Sequence, residues 1–291
     1  MGNSIENKGK SQRPKLALVL GSGSVKCAAA LGLWEVFRRE DIPIDMVVGC
    51  SGGSMFSVII ACDIDPDLVK KVAFKIWDRK LFKTNYRALP KILFPRLLRF
   101  NAFFGLYQDA ALERALEGFF GGLTFESARI PLYIVATDLM TGKRVVLSKG
   151  KVTDAIRASI SLPLLLSPKE INGQLLTDGG VSDPLPIGVA IKEGSDIIVA
   201  MGYESPYHED LSSPGPLVQQ LSSISINNLL KANLSFYNLA HYHEIILIVP
   251  KFEERIGGSD TDKLPYIVEV GKRATEEQIP YIKSLLFGDC S

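Results

Sequence analysis

A layered α/β protein is predicted, with a largely parallel sheet covered by helices on both faces. Short apolar runs alternate with segments of helical period along most of the chain, the pattern that parallel strands joined by crossover helices require. The first two runs each end in a glycine-containing turn that leads straight into a helical segment. Only Met140-Thr-Gly-Lys143 reads as a hairpin turn, so one antiparallel strand is expected on an otherwise parallel sheet.

The first predicted strand, 15–20 (KLALVL), ends in Gly21-Ser22-Gly23-Ser24 and is followed by a helix over 25–37 whose apolar positions include Leu31, Leu33 and Trp34. A second strand at 46–48 breaks at Gly49-Cys50-Ser51-Gly52-Gly53, and an apolar helix resumes over 54–61. A further helix is expected over 65–77, with Asp65 or Asp67 near its start. Later strands are expected at 132–137, 144–147, 175–177, 196–201 and 244–249, with helices at 109–119, 152–160, 185–192, 218–239 and 264–286. No repeat, low-complexity tract or linker-like shift interrupts the series. Residues 15–291 are therefore expected to form one domain, motif-bearing over about 15–201, behind a disordered polar leader at 1–14.

Composition narrows the function. The chain has 291 residues, with 33 Lys and Arg against 32 Asp and Glu, and 46% hydrophobic residues. That balance excludes a disordered or fibrous protein and argues against a general nucleic-acid binder. Cys27, Cys50, Cys62 and Cys290 contain no CxxC pair, and the three histidines (His208, His241, His243) are too few and too dispersed for a structural zinc site, so no metal or organic cofactor is expected. Gly2 invites an N-myristoylation motif, but Glu6 stands where Ser or Thr belongs. With no apolar leader and no uncharged stretch suited to lipid, a cytoplasmic or membrane-peripheral location is expected.

Three short blocks carry the chemistry. Gly49-Cys50-Ser51-Gly52-Gly53 fits G-x-S-x-G, a nucleophile elbow in which Gly49 and Gly53 remove side chains that would clash in the strand-to-helix turn around Ser51. The helix dipole favours negative charge developing there. Gly21–Ser24 lacks the third glycine of a dinucleotide fingerprint, since Lys26 holds that place, and lacks the Gly-Lys-Ser/Thr end of a P-loop. It reads either as an oxyanion hole made of backbone N–H groups or as a plain connector. Asp178-Gly179-Gly180 reads either as a base at a strand end or as an ordinary Asp-Gly turn.

Taken together, a glycine turn, G-x-S-G-G about thirty residues on and D-G-G far downstream resemble the patatin-like phospholipase family, in its short single-domain prokaryotic branch. The likeness extends to Arg157-Ala-Ser-Ile-Ser-Leu-Pro163 and to Gly173–Pro186 around the aspartate. The resemblance implies a three-layer α/β/α fold and a catalytic dyad without histidine. Ser51 would be the nucleophile, Asp178 its base, and the backbone amides of Ser22, Gly23 and Ser24 the oxyanion hole, with Lys26 matching the family's basic position after that turn. The implied activity is hydrolysis of carboxylic esters of phospholipids or lysophospholipids through an acyl-serine. Ser22 and Ser24 replace family glycines, and Cys27 stands where glycine is usual, which motivates a rival reading as a lipid-binding or regulatory pseudoenzyme. A second rival is a Ser-His-Asp esterase, for which His241 and His243 come late enough in the chain order.

One segment stands apart. Between 79 and 108 the chain carries Arg79, Lys80, Lys83, Arg87, Lys91, Arg96 and Arg99, no acidic residue, and many aromatic and aliphatic side chains, broken by Pro90 and Pro95. Two readings stand side by side: a peripheral contact with anionic membrane, or a cap whose apolar residues enter the core while its cations are solvated.

Overall fold

The first strand shows how the sheet divides its side chains. The structure, a computed structural model, describes residues 13–72, 81, 83–205, 207, 210–212, 214–240, 244–257 and 260–288. Strand β1 (Leu16–Leu20) is buried throughout. Leu16, Leu18 and Leu20 enter one core and Ala17 and Val19 the other, because successive side chains point to opposite faces of a strand. The first core is closed by α1 (Ala29–Arg39), α2 (Gly52–Ala61), α5 (Asp109–Phe120), α6 (Val152–Ser159), α9 (Leu264–Glu276) and α10 (Ile279–Phe287). The second is closed by α7 (Ile187–Lys192) and α8 (Pro214–Ala240). The predicted α/β/α sandwich is therefore present. Two short helices, α3 (Pro66–Val72) and α4 (Leu89–Leu93), lie between α2 and α5 along the chain.

The sheet contains β1, β2 (Met46–Cys50), β3 (Leu132–Asp138), β4 (Arg144–Leu147), β5 (Lys169–Ile171), β6 (Gln174–Asp178), β7 (Ile197–Met201) and β8 (Glu244–Ile248). Strands β3, β2, β1, β7 and β8 run parallel in that order. One antiparallel strand was expected, but β4, β5 and β6 all pair antiparallel. The three residues of β5 are too few to show a period, and β5 and β6 are joined through Asn172 and Gly173, both at positive φ, the backbone of a tight hairpin. The expected helix over 264–286 is two helices, with Pro280 in the first turn of α10, where its missing N–H costs nothing. The helix expected from Val25 begins as a 3₁₀ turn over Ser24–Ala28 before α1. Of the helix expected over 65–77, residues 73–77 lie outside the described residues, as do residues 1–12 of the leader expected at 1–14.

The registers on β3 place the site. Its residues 132–135 pair with β2, 134–137 with β4 and 136–138 with β6. Because β4 overlaps both others, β2 and β6 must share the opposite edge. They run toward each other along it, so that Cys50 opposite Val135 and Asp178 opposite Ala136 end one residue apart. Two residues distant in sequence are thereby brought end to end.

Candidate active site

Ser51 follows β2 directly and caps α2 with φ 51° and ψ −128°, a left-handed conformation unfavourable for a residue with a Cβ. What surrounds it holds it there. Its N–H donates to Ser159 Oγ at 2.8 Å, and that hydroxyl donates in turn to Val135 O at 2.6 Å. The flanking glycines are required by close approach: a Cβ on Gly49 would lie 2.1 Å from Ser57 Oγ, and one on Gly53 about 2.5 Å from the Leu20 carbonyl oxygen. Gly53 thus lets the elbow lie directly on the end of β1, where the glycine turn begins.

Ser51 Oγ donates to Asp178 Oδ2 at 2.7 Å, and Asp178 Oδ1 accepts the Gly180 N–H at 2.7 Å. Both side chains are buried, at 7% and 1% exposure, so the pair works in a medium poorer in water than an open cleft. Burial raises the Asp178 carboxyl from its ordinary 3.8 to about 6, with the Ser51 and Gly180 hydrogen bonds opposing the shift. A carboxylate held at that value is ionised at neutral pH yet basic enough to take a hydroxyl proton as a new bond forms. The Asp178 backbone is fixed too: its N–H donates to Ser161 O at 3.0 Å and its carbonyl accepts from Thr137 Oγ1 at 2.8 Å. Arg157, 2% exposed, steadies that stretch by donating to Ser161 Oγ at 2.6 Å and to Asp109 Oδ1 at 2.5 Å.

The glycine turn lies against the same elbow, since a Cβ on Gly52 would be 2.7 Å from Ser24 O. Its three expected donors divide. The Ser22 N–H donates to Pro184 O at 2.7 Å and ties the turn to the segment after Asp178. The Gly23 N–H has no acceptor among the described residues. Ser24 sits at φ 52°, the conformation for which glycine is the usual choice. Lys26 lies away from the dyad, with Nζ donating to Glu204 O at 2.9 Å and standing 5.6 Å from the Phe252 ring centre, and burial lowers its pKa. It fastens the turn to the segment after β7. Cys27 is fully buried, its thiol directed to Gly21 O at 3.4 Å and lying against Gly52 of the elbow. His208, His241 and His243 lie outside the described residues.

Ser159, Ser161 and Thr137 were not singled out as functional from sequence. The signal was present for two of them: a small polar residue recurs at 159 and 161, where α6 ends against the sheet.

Fold and geometry define a serine–carboxylate site at the strand ends of an α/β/α sandwich. The sequence pattern of the patatin-like phospholipase family matches residues 18–191, more than half of the chain, and the chain belongs to that family. An uncharacterised NTE family protein of Mycobacterium tuberculosis is 32% identical over 191 residues, covering 66% of this chain and 49% of that protein. The neuropathy target esterase sws of Drosophila melanogaster is 27% identical over 204 residues, covering 69% of this chain and 14% of that protein. The chain thus spans about half the length of that mycobacterial relative, and 28% of another from the same species. VipD from Legionella pneumophila shares the fold at TM-score 0.53 and 15% identity, over 92% of this chain and 67% of that one.

Proposed function

We propose that this protein is a serine lipid acyl hydrolase that cleaves carboxylic esters of phospholipids or lysophospholipids, on one catalytic domain over 15–291. The observation that carries the reading is the direct 2.7 Å hydrogen bond from the Ser51 hydroxyl to the buried Asp178 carboxylate. Ser51 Oγ attacks the ester carbonyl carbon while its proton passes to Asp178, and the carbonyl electrons move onto oxygen. Gly23 and Ser24 N–H groups and the N-terminus of α2 stabilise that oxyanion. Collapse expels the alcohol, which takes the proton from Asp178, and leaves an acyl-Ser51 ester. Water, deprotonated by Asp178, then releases the fatty acid and restores the serine. The burial of the Cys27 thiol, directed to Gly21 O and away from solvent, supports the enzyme reading over a pseudoenzyme. The direct hydrogen bond from Ser51 to the carboxylate supports a dyad over a triad.

No described helix is long and apolar enough to cross a membrane, in keeping with a protein that meets its lipid from one side. Fluorophosphonate labelling, read by mass spectrometry beside a panel of lipid esters, tests the proposal. Label on the wild type at Ser51, none on Ser51→Ala, and near-full activity in His208→Gln, His241→Gln and His243→Gln are expected. A folded histidine variant that loses several orders of magnitude would overturn the dyad.

A further inference from the structure

Over 83–108, ahead of α5, the chain leaves the sandwich and returns. The root of this excursion is tied down: Gln108 N–H donates to Lys83 O at 2.9 Å, Asn85 N–H to Leu106 O at 2.7 Å, Leu106 N–H to Leu164 O at 2.9 Å and Tyr107 N–H to Leu165 O at 2.9 Å. What lies beyond the root runs against the usual rule for apolar side chains. Tyr86, Ile92, Leu93, Phe94, Leu97, Phe100 and Phe103 are all exposed, with Leu93 at 75% and Leu97 at 78%. A cap would turn these side chains inward; of the described hydrophobic side chains over 84–105, Ala88 and Phe104 are the buried ones. A contiguous apolar surface of this kind marks a site of contact.

Charge specifies the kind of contact. Lys83, Arg87, Lys91, Arg96 and Arg99 are interleaved with the apolar tips, no Asp or Glu occurs from 81 to 108, and none of the five cations forms an ion pair with a described residue. Exposed aromatic and aliphatic side chains interleaved in sequence with cations that pair with no described carboxylate match the acyl chains and anionic headgroups of a phospholipid leaflet. The root, moreover, is bonded to the 161–167 loop, and Ser161 in that loop holds the backbone of Asp178. Leu162 and Leu164 of that loop are exposed apolar side chains as well.

We propose that the excursion over 84–105 docks the protein on an anionic phospholipid bilayer, with Leu93, Phe94 and Leu97 inserted among acyl chains and Arg87, Lys91, Arg96 and Arg99 at the headgroups. This deepens the lipid hydrolase reading by naming the surface from which substrate is drawn, and rests on that reading for its purpose though not for its binding.

The test uses full-length Ser51→Ala protein, so that no lipid is consumed, sedimented with phosphatidylcholine vesicles with and without phosphatidylglycerol. Binding is expected to require phosphatidylglycerol and to fall at least about tenfold from low to high salt. The triple variant Lys91→Gln, Arg96→Gln, Arg99→Gln should weaken it by roughly tenfold or more. Leu93→Ser with Leu97→Ser should weaken it at every salt concentration. In a Leu97→Trp variant the added indole emission should shift to the blue and be quenched by brominated acyl chains. In the Ser51 background these variants should turn over a soluble short-chain ester at the wild-type rate. Absence of binding, equal binding to neutral vesicles, or a self-association that Leu97→Ser abolishes without effect on vesicles would overturn the proposal. Vesicle binding without ester turnover would sink the hydrolase reading and leave the docking surface standing.

Discussion

Around Ser51 the molecule buries polar side chains and pairs them, whereas across 84–105 it leaves large apolar side chains in solvent. The two regions face opposite constraints. In the first, Ser51, Ser159, Asp178 and Thr137 form a chain of short hydrogen bonds among strand ends, and every member is fixed by a neighbour. Removing one leaves a buried group unsatisfied, so such a region is intolerant of change. In the second, Leu93 and Leu97 are at least three-quarters exposed, so polar substitutions at those two positions have little to disrupt among the described residues. The contrast separates a region held by internal hydrogen bonds from one that presents apolar side chains to solvent.

The strongest way to break the contrast is at the dyad. Ser51→Ala and Asp178→Asn are each expected to lower kcat by at least about 10³-fold, with the double variant hardly worse, because both residues serve one proton transfer. Steady-state rates on a soluble ester, with circular dichroism as the check on folding, measure this; full additivity would contradict it. Next in size is packing. Gly53→Ala forces a Cβ onto two backbone carbonyl oxygens that cannot withdraw, and a loss of about 3 kcal/mol or more in urea unfolding is expected.

Acid titration sharpens the comparison differently. Between 3.8 and about 6 the folded protein retains an Asp178 proton that the unfolded chain has released. The group's contribution to stability therefore falls as pH rises through that window, by at most about 3 kcal/mol. Asp178→Asn should melt no lower than the wild type at pH 7.5, and any advantage should vanish near pH 4. Activity runs the other way: kcat should rise with pH up to about 6 as the carboxylate base ionises. Ser159→Ala is expected to cost about 1–3 kcal/mol by orphaning the Ser51 N–H, and to lower kcat as the elbow relaxes. The smallest effect belongs to the excursion: Leu97→Ser should leave the melting free energy within about 0.5 kcal/mol of wild type. A larger loss would show that the leucine packs within the chain.

Much of the fold was legible in the sequence because local rules fix it. Buried parallel strands must be apolar runs, and tight strand-to-helix turns need glycine, so β1, β2, the elbow at Ser51 and the turn at 21–24 announce themselves. The small antiparallel additions were less legible: β5 has three residues, half exposed, and carries no periodicity. At the helix ends, the break before Pro280 was hidden by apolar residues that continue the helical spacing across it.

For the site, sequence by itself determined which side chains have the chemistry: a serine in an elbow, an aspartate at a strand end and a turn rich in backbone donors. Tertiary structure alone decided how they meet. Residues 51 and 178 come within hydrogen-bonding distance because β2 and β6 share one edge of β3, and no local propensity encodes a register between strands so far apart. The same applies to the turn, where the Ser22 N–H was available on paper but is taken by Pro184 O. Lys26 likewise has a basic side chain by sequence and an anchoring place only by structure, since its reach to Glu204 depends on where the segment after β7 passes. Local conformation follows from short-range sterics, whereas pairing across more than a hundred residues depends on which surfaces must be buried together.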